Sequence, residues 1–142
     1  MQPLSITLPM MAGSEVTTMM KKPHPIKTPI KEFMAIKAAM AMLTKSGHFT
    51  VNTKTQFGRV IKMTVGPAWK TLRQIEADIA FFFPCDPDTQ AAISARLREV
   101  APSNSGLVKQ RRHYTSDNGK VVYVYRLVPS AWLAMRNIKE AA

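Results

Sequence analysis

The chain reads as an α+β fold, on three observations within residues 86–128. Ile93, Leu97 and Val100 recur at helical spacing, so one stripe of a helix turns toward a core. A Pro-Ser-Asn-Ser-Gly break at 102–106 ends that helix. Two β-rich runs, 107–114 and 121–128, then flank Asn118-Gly119, a hairpin signal because both residues tolerate positive φ.

The helix is expected over 86–101. Asp86 serves as its N-cap, Pro87 fills the position where a missing donor costs nothing, and Asp88 puts a negative charge in the first turn. Its other side carries Gln90, Ala91, Ser94, Ala95 and Arg98, small or hydrogen-bonding residues that leave room for a flat partner. In the return strand Val121, Tyr123, Tyr125 and Leu127 share one side at period two. Lys109, Arg111, Arg112, Lys120 and Arg126 set five cations on the hairpin against Asp117. A helix with a bare outer face followed by a basic hairpin suits DNA: one element enters the major groove and the other grips phosphates.

The segments ISARLREV, GLV and NGKVVYVYRLV resemble the recognition helix and wing of winged helix-turn-helix proteins, in particular small helix-turn-helix proteins of phages and prophages. The resemblance covers residues 71–128; the FFFP run before the helix and the long leader depart from the pattern. It implies a winged helix-turn-helix fold, placed over 29–128; the residues outside it read as a disordered basic leader over 1–28 and an extra C-terminal helix over 129–142. Gln90, Ser94 and Arg98 would then contact base edges, Gln pairing with adenine and Arg with guanine. Thr89, with the helix N-terminus, would hold a phosphate, and Lys109, Arg111, Arg112 and Lys120 would grip the backbone.

Composition agrees with a polyanionic partner. Lys and Arg number 20 against 9 Asp and Glu, a net charge of +11, and cations placed on phosphates release counterions. At 142 residues with 46% hydrophobic content the chain fits one domain plus a tail. The lone Cys85 excludes an internal disulfide and reads as a buried or partly buried structural thiol. No apolar run approaches a membrane span, and the start lacks a secretory n-region, so a cytoplasmic protein is expected, nucleoid-associated if DNA-bound. No Gly-rich phosphate loop, HExxH or GxSxG occurs, and His24, His48 and His113 are scattered. Capping accounts for Asp86 and Asp88, and a nuclease cluster with Asp78 lacks a neighbouring Lys. The expectation is a non-enzyme without cofactor or metal.

Taken in order, residues 1–28 are punctuated by Pro3, Pro9, Pro23 and Pro25 and read as flexible, with Lys21, Lys22 and Lys27 as an arm. Residues 29–46 form a helix with Ile30, Phe33, Ile36, Met40 and Leu43 inward, stopped by Gly47. A short strand is expected over 48–53. Thr53-Lys54-Thr55-Gln56 has capping-box form, opening a helix with Phe57, Val60 and Ile61 inward and Lys54, Arg59 and Lys62 outward. Pro67 opens the next helix, 67–83, burying Trp69, Leu72, Ile75, Ile79 and Phe82. These two helices form a competing reading unit, with Lys70, Arg73 and Gln74 at the bases. The last helix starts at Pro129 and carries Ala131, Trp132, Met135 and Ile138 at helical spacing, either packed on the domain or in a dimer interface.

The expected function is a sequence-selective double-stranded DNA-binding protein, a transcription regulator or replication accessory of a phage or mobile element, with a second copy as partner. The alternative is a phage-encoded interaction protein that inhibits a host defence or replication factor, docking through the FFFP run or the last helix. RNA, stacked on Tyr114, Tyr123 and Tyr125, is a third option.

Overall fold

A computed structural model describes residues 24–141, the side chains of the last three excepted. The described part is α+β. Its elements are α1 (Ile30–Lys45), α2 (Gln56–Thr64), β1 (Lys70–Thr71), α3 (Leu72–Phe82), α4 (Gln90–Arg98), the single turn α5 (Pro102–Ser105), β2 (Leu107–Thr115), β3 (Val121–Pro129) and α6 (Ser130–Ala141). The three strands are antiparallel in the order β1-β3-β2.

The strands separate two packed layers. Side chains directly opposite in an antiparallel pair share a face, and neighbours along a strand alternate. Leu107 and Leu127 therefore point to one side, where they join Val60 and Ile61 of α2, Ile75 and Ile79 of α3, and Ile93 and Leu97 of α4. The other side presents Val124, Arg126 and Val128, all buried, with α1 and α6 against β3. Between residues 115 and 121 the chain reverses with Ser116 N–H bonded to Lys120 O and Gly119 at φ 84°. Gly106, at φ 75°, closes α5, and a Cβ there would meet Leu43 at 3.3 Å.

Several expectations are corrected. Residues 48–53 form no strand; Phe49 and Val51 simply pack on the core from an irregular segment. The cap of α2 is Thr55, whose side chain accepts from Gly58 N–H, rather than Thr53. Pro67 opens no helix: residues 67–69 form an irregular bend, Lys70 and Thr71 pair with β3, and α3 begins behind Thr71 in a reciprocal cap with Gln74. Asp86 does not cap α4; Thr89 does, and α4 stops at Arg98, with residues 102–105 coiling separately.

Two arginines expected outside are inside. Arg59 forms a two-point ion pair with Asp88, Nε–Oδ2 3.1 Å and Nη2–Oδ1 3.2 Å, and Gln56 donates to the same carboxylate at 2.9 Å. Arg126, 1% exposed, lies 4.3 Å over the Trp69 ring and is ion-paired to Glu32 at 2.7 Å. It also donates to Gln110 and to Pro67 O. A buried guanidinium needs this degree of pairing, since an unpaired one costs several kcal/mol, on the order of 3–5. Apolar positions moved outward as well. Phe82, Met135, Ile138 and Ile30 are exposed, Phe83 turns inward in place of Phe82, and Cys85 is exposed.

Of the expected leader, residues 1–23 lie outside the described residues. The described remainder is tied to the sheet: His24 Nε2 bonds Trp69 O at 2.8 Å, and the Thr28 hydroxyl donates to Pro67 O.

Candidate nucleic-acid interface

The position of α4 follows from three anchors. Ile93 and Leu97 bury one stripe against α2, α3 and the sheet. Asp88, just ahead of the cap, is fastened to Arg59 on α2. Gln90 Nε2 donates to Glu76 Oε1 on α3 at 2.9 Å. Burial alone would raise the Asp88 carboxyl, but the bonds from Arg59 and Gln56 outweigh it and hold its pKa below the ordinary value. The bond to Asp88, against the opposing effect of burial, raises that of Arg59.

The outward side of α4 is not filled by the hydrophobic interior. Ala91 and Arg98 are exposed and Ser94 and Ala95 half-exposed. Ser94 Oγ accepts from Arg98 Nη1 at 3.4 Å, holding the guanidinium along the helix. Gln90 is the least free of the expected base readers, because its amide N–H already serves Glu76; its carbonyl remains an acceptor. The Thr89 oxygen accepts from Ala92 N–H at 3.2 Å, which leaves the hydroxyl proton to donate outward.

The hairpin cations divide by face. Lys109 and Arg111 lie on the same side as Leu107 and Leu127, toward α4. Burial first, then repulsion from Arg111 and Arg98, lowers the Lys109 pKa, so these three charges crowd one locality. None of the three is ion-paired among the described residues. Arg112 points to the opposite side, its guanidinium 5.6 Å over Trp69. Lys120 is exposed in the hairpin turn. Arg98, Lys109 and Arg111 are thus brought together, and Arg112 is not among them.

Tyr123, which the sequence offers only as a stacking residue for RNA, belongs to the same surface as Arg111. The residue is 42% exposed, and its ring carries Arg111 at 4.9 Å and meets the His113 ring edge-on at 5.6 Å. The signal was available, since Lys109, Arg111 and His113 alternate in register with Leu127, Tyr125 and Tyr123. The competing unit is less available for reading: Lys70 Nζ is bonded to Met63 O and Asp78, and the Gln74 side chain caps Thr71 N–H. Asp78 and Asp88 are each held by a cation, and no group of three or more metal-ligating side chains occurs among the described residues.

No family model, no curated protein and no solved structure matches this chain. Among the described residues no helix is long and apolar enough to cross a membrane.

Proposed function

We propose that the chain is a winged helix-turn-helix protein that reads double-stranded DNA, with α3 positioning, α4 in the major groove and the β2–β3 hairpin as the wing. The observation that carries this reading is the convergence of Arg98, Lys109 and Arg111 beside an uncrowded helix face. Three like charges without a carboxylate partner repel one another, and an array of phosphates relieves that repulsion. Ser94 and Arg98 supply base contacts, with Gln90 contributing its carbonyl; Thr89, Lys109, Arg111 and Lys120 hold the backbone. A role as transcription regulator or replication accessory of a phage or mobile element rests on the sequence resemblance, and a two-fold operator would call for a second copy.

Selection from a random duplex library at two salt concentrations tests the reading. Recovery of one motif, with affinity falling steeply as salt rises, is the expected result. Enrichment of no motif at either concentration would refute selective reading.

A second reading is favoured by Phe81 and Phe82, exposed and edge-to-face at 4.9 Å on α3. Paired exposed rings suit a protein contact, as in an inhibitor of a host factor. Capture of one host protein after nuclease treatment, lost in Phe81→Ser/Phe82→Ser, supports it.

A further inference from the structure

On the far side of the sheet from α4, the two helices α1 and α6 leave large apolar side chains uncovered. Ile30, Met34 and Met42 on α1, with Met135 and Ile138 on α6, are all exposed. Met42, Met135 and Ile138 border two concave spaces that share Trp132 and Met135. One, of about 740 Å³, is walled by Met42, Leu43, the α5 turn and Trp132. The other, of about 580 Å³, is walled by Lys31, Glu32, Ala35, Arg136 and Ile138. Contiguous apolar surface of this kind marks an interaction site, and methionine suits it because its flexible thioether adapts to a partner's shape.

The charge around these grooves narrows the partner. Among the described side chains Glu32 is the only carboxylate lining either one, and it is already held by Arg126 at 2.7 Å and by Arg136 at 3.4 Å. Lys31 and Arg136 line the same groove, so two cations flank one acid whose charge Arg126 already meets from beneath. Lys45 stands one helical turn beyond Met42, and His48 lines the larger groove. A second copy of the chain, bringing the same face, would set cation against cation. A lipid surface would meet hollows between helices rather than a convex apolar ridge.

We propose that the α1–α6 face is a docking groove for an acidic amphipathic helix of another protein, its apolar stripe seated around Met135 and its carboxylates on Lys31 and Lys45. Helix-in-groove recognition of this type places apolar side chains at i, i+3 or i+4 and i+7 into successive hollows. Because the groove and α4 lie on opposite sides of the sheet, a helix docked there leaves the α4 face open. The proposal does not depend on DNA binding.

The test uses the full chain labelled at its methionine methyls and a designed sixteen-residue Leu/Glu helical peptide, with a Leu/Lys peptide of the same pattern as control. The expected result is saturable binding of the Leu/Glu peptide, shifting the Met42 and Met135 methyls, and no binding of the Leu/Lys peptide. Lys31→Glu/Lys45→Glu, at exposed positions, should weaken binding about tenfold at low salt with an unchanged thermal melt. Met135→Glu should abolish the methyl shifts. Equal binding of both peptides, or shifts confined to residues of α4 and the hairpin, would overturn the proposal. So would the same methyl shifts arising from self-association at rising protein concentration, or from vesicles of three parts phosphatidylglycerol to seven of phosphatidylcholine in preference to the peptide.

Discussion

Replacing Asp88 by Ala is the perturbation whose cost the structure defines best. It removes both points of the Arg59 ion pair and the bond from Gln56, in a site where both charged side chains are almost fully buried. Arg59 keeps only weak bonds to the Thr53 and Lys54 carbonyls, at 3.3 and 3.2 Å. Leaving one member of a buried pair unpartnered costs about 3–5 kcal/mol. For a chain of this size that is a fall in melting temperature of roughly 10–20 °C. Thermal and urea melts of Asp88→Ala, Arg59→Met and the double variant measure it. The double variant should recover a good part of the loss, because it removes the stranded charge. The pH dependence carries the same signature. The Asp88 pKa is lowered by folding, so its contribution is present above the ordinary carboxylate value of 3.8 and is lost as pH falls through the lower folded value. Asp88→Asn should flatten that part of the acid limb. A loss within about 0.5 kcal/mol for Asp88→Ala, the scatter of ordinary surface changes, would refute the reasoning.

Other outcomes follow from the same geometry. Arg111→Ala should weaken all duplexes alike and reduce the salt slope by about 0.9, one phosphate's worth, whereas Arg112→Ala, on the opposite face, should leave the slope unchanged in binding titrations. Arg98→Ala should relax preference at one base pair by about 1–3 kcal/mol, read by competition between single-substituted sites. A Cβ at Gly58 would stand 1.9 Å from the Asn52 carbonyl oxygen, so Gly58→Ala should destabilise by about 3 kcal/mol in a urea melt, at the upper end for overpacking. Trp69→Ala removes the ring under Arg126 and should cost about 3–5 kcal/mol by the same assay.

What was legible in the sequence was local. The Ile93–Leu97 stripe and the Asn118-Gly119 turn report interactions within a few residues, and α4 and the hairpin lie where those signals put them. What failed was set by distant partners. Arg59 reads as a solvated helix charge until Asp88, 29 residues on, is folded against it, and Arg126 depends on Glu32, 94 residues back. The strand β1 is two residues long, too short to show a period, so Pro67 reads as a helix start; at 48–53 Phe49 and Val51 alternate because both pack on the core from an irregular segment. Thr89 and Asp86 are both good caps; the buried pairing of Asp88 with Arg59 places the start of α4 at Thr89. The division of Arg111 from Arg112 was recoverable, since adjacent strand residues cannot share a face.

The most direct measurement is an amide shift map of the full chain titrated with a duplex recovered by selection. The account predicts saturating shifts along Ala91, Ser94, Ala95 and Arg98, at Lys109 and Arg111, and at the turn around Lys120, with α1 and α6 unmoved. Shifts centred on α1 and α6, or spread evenly over every lysine and arginine, would contradict it.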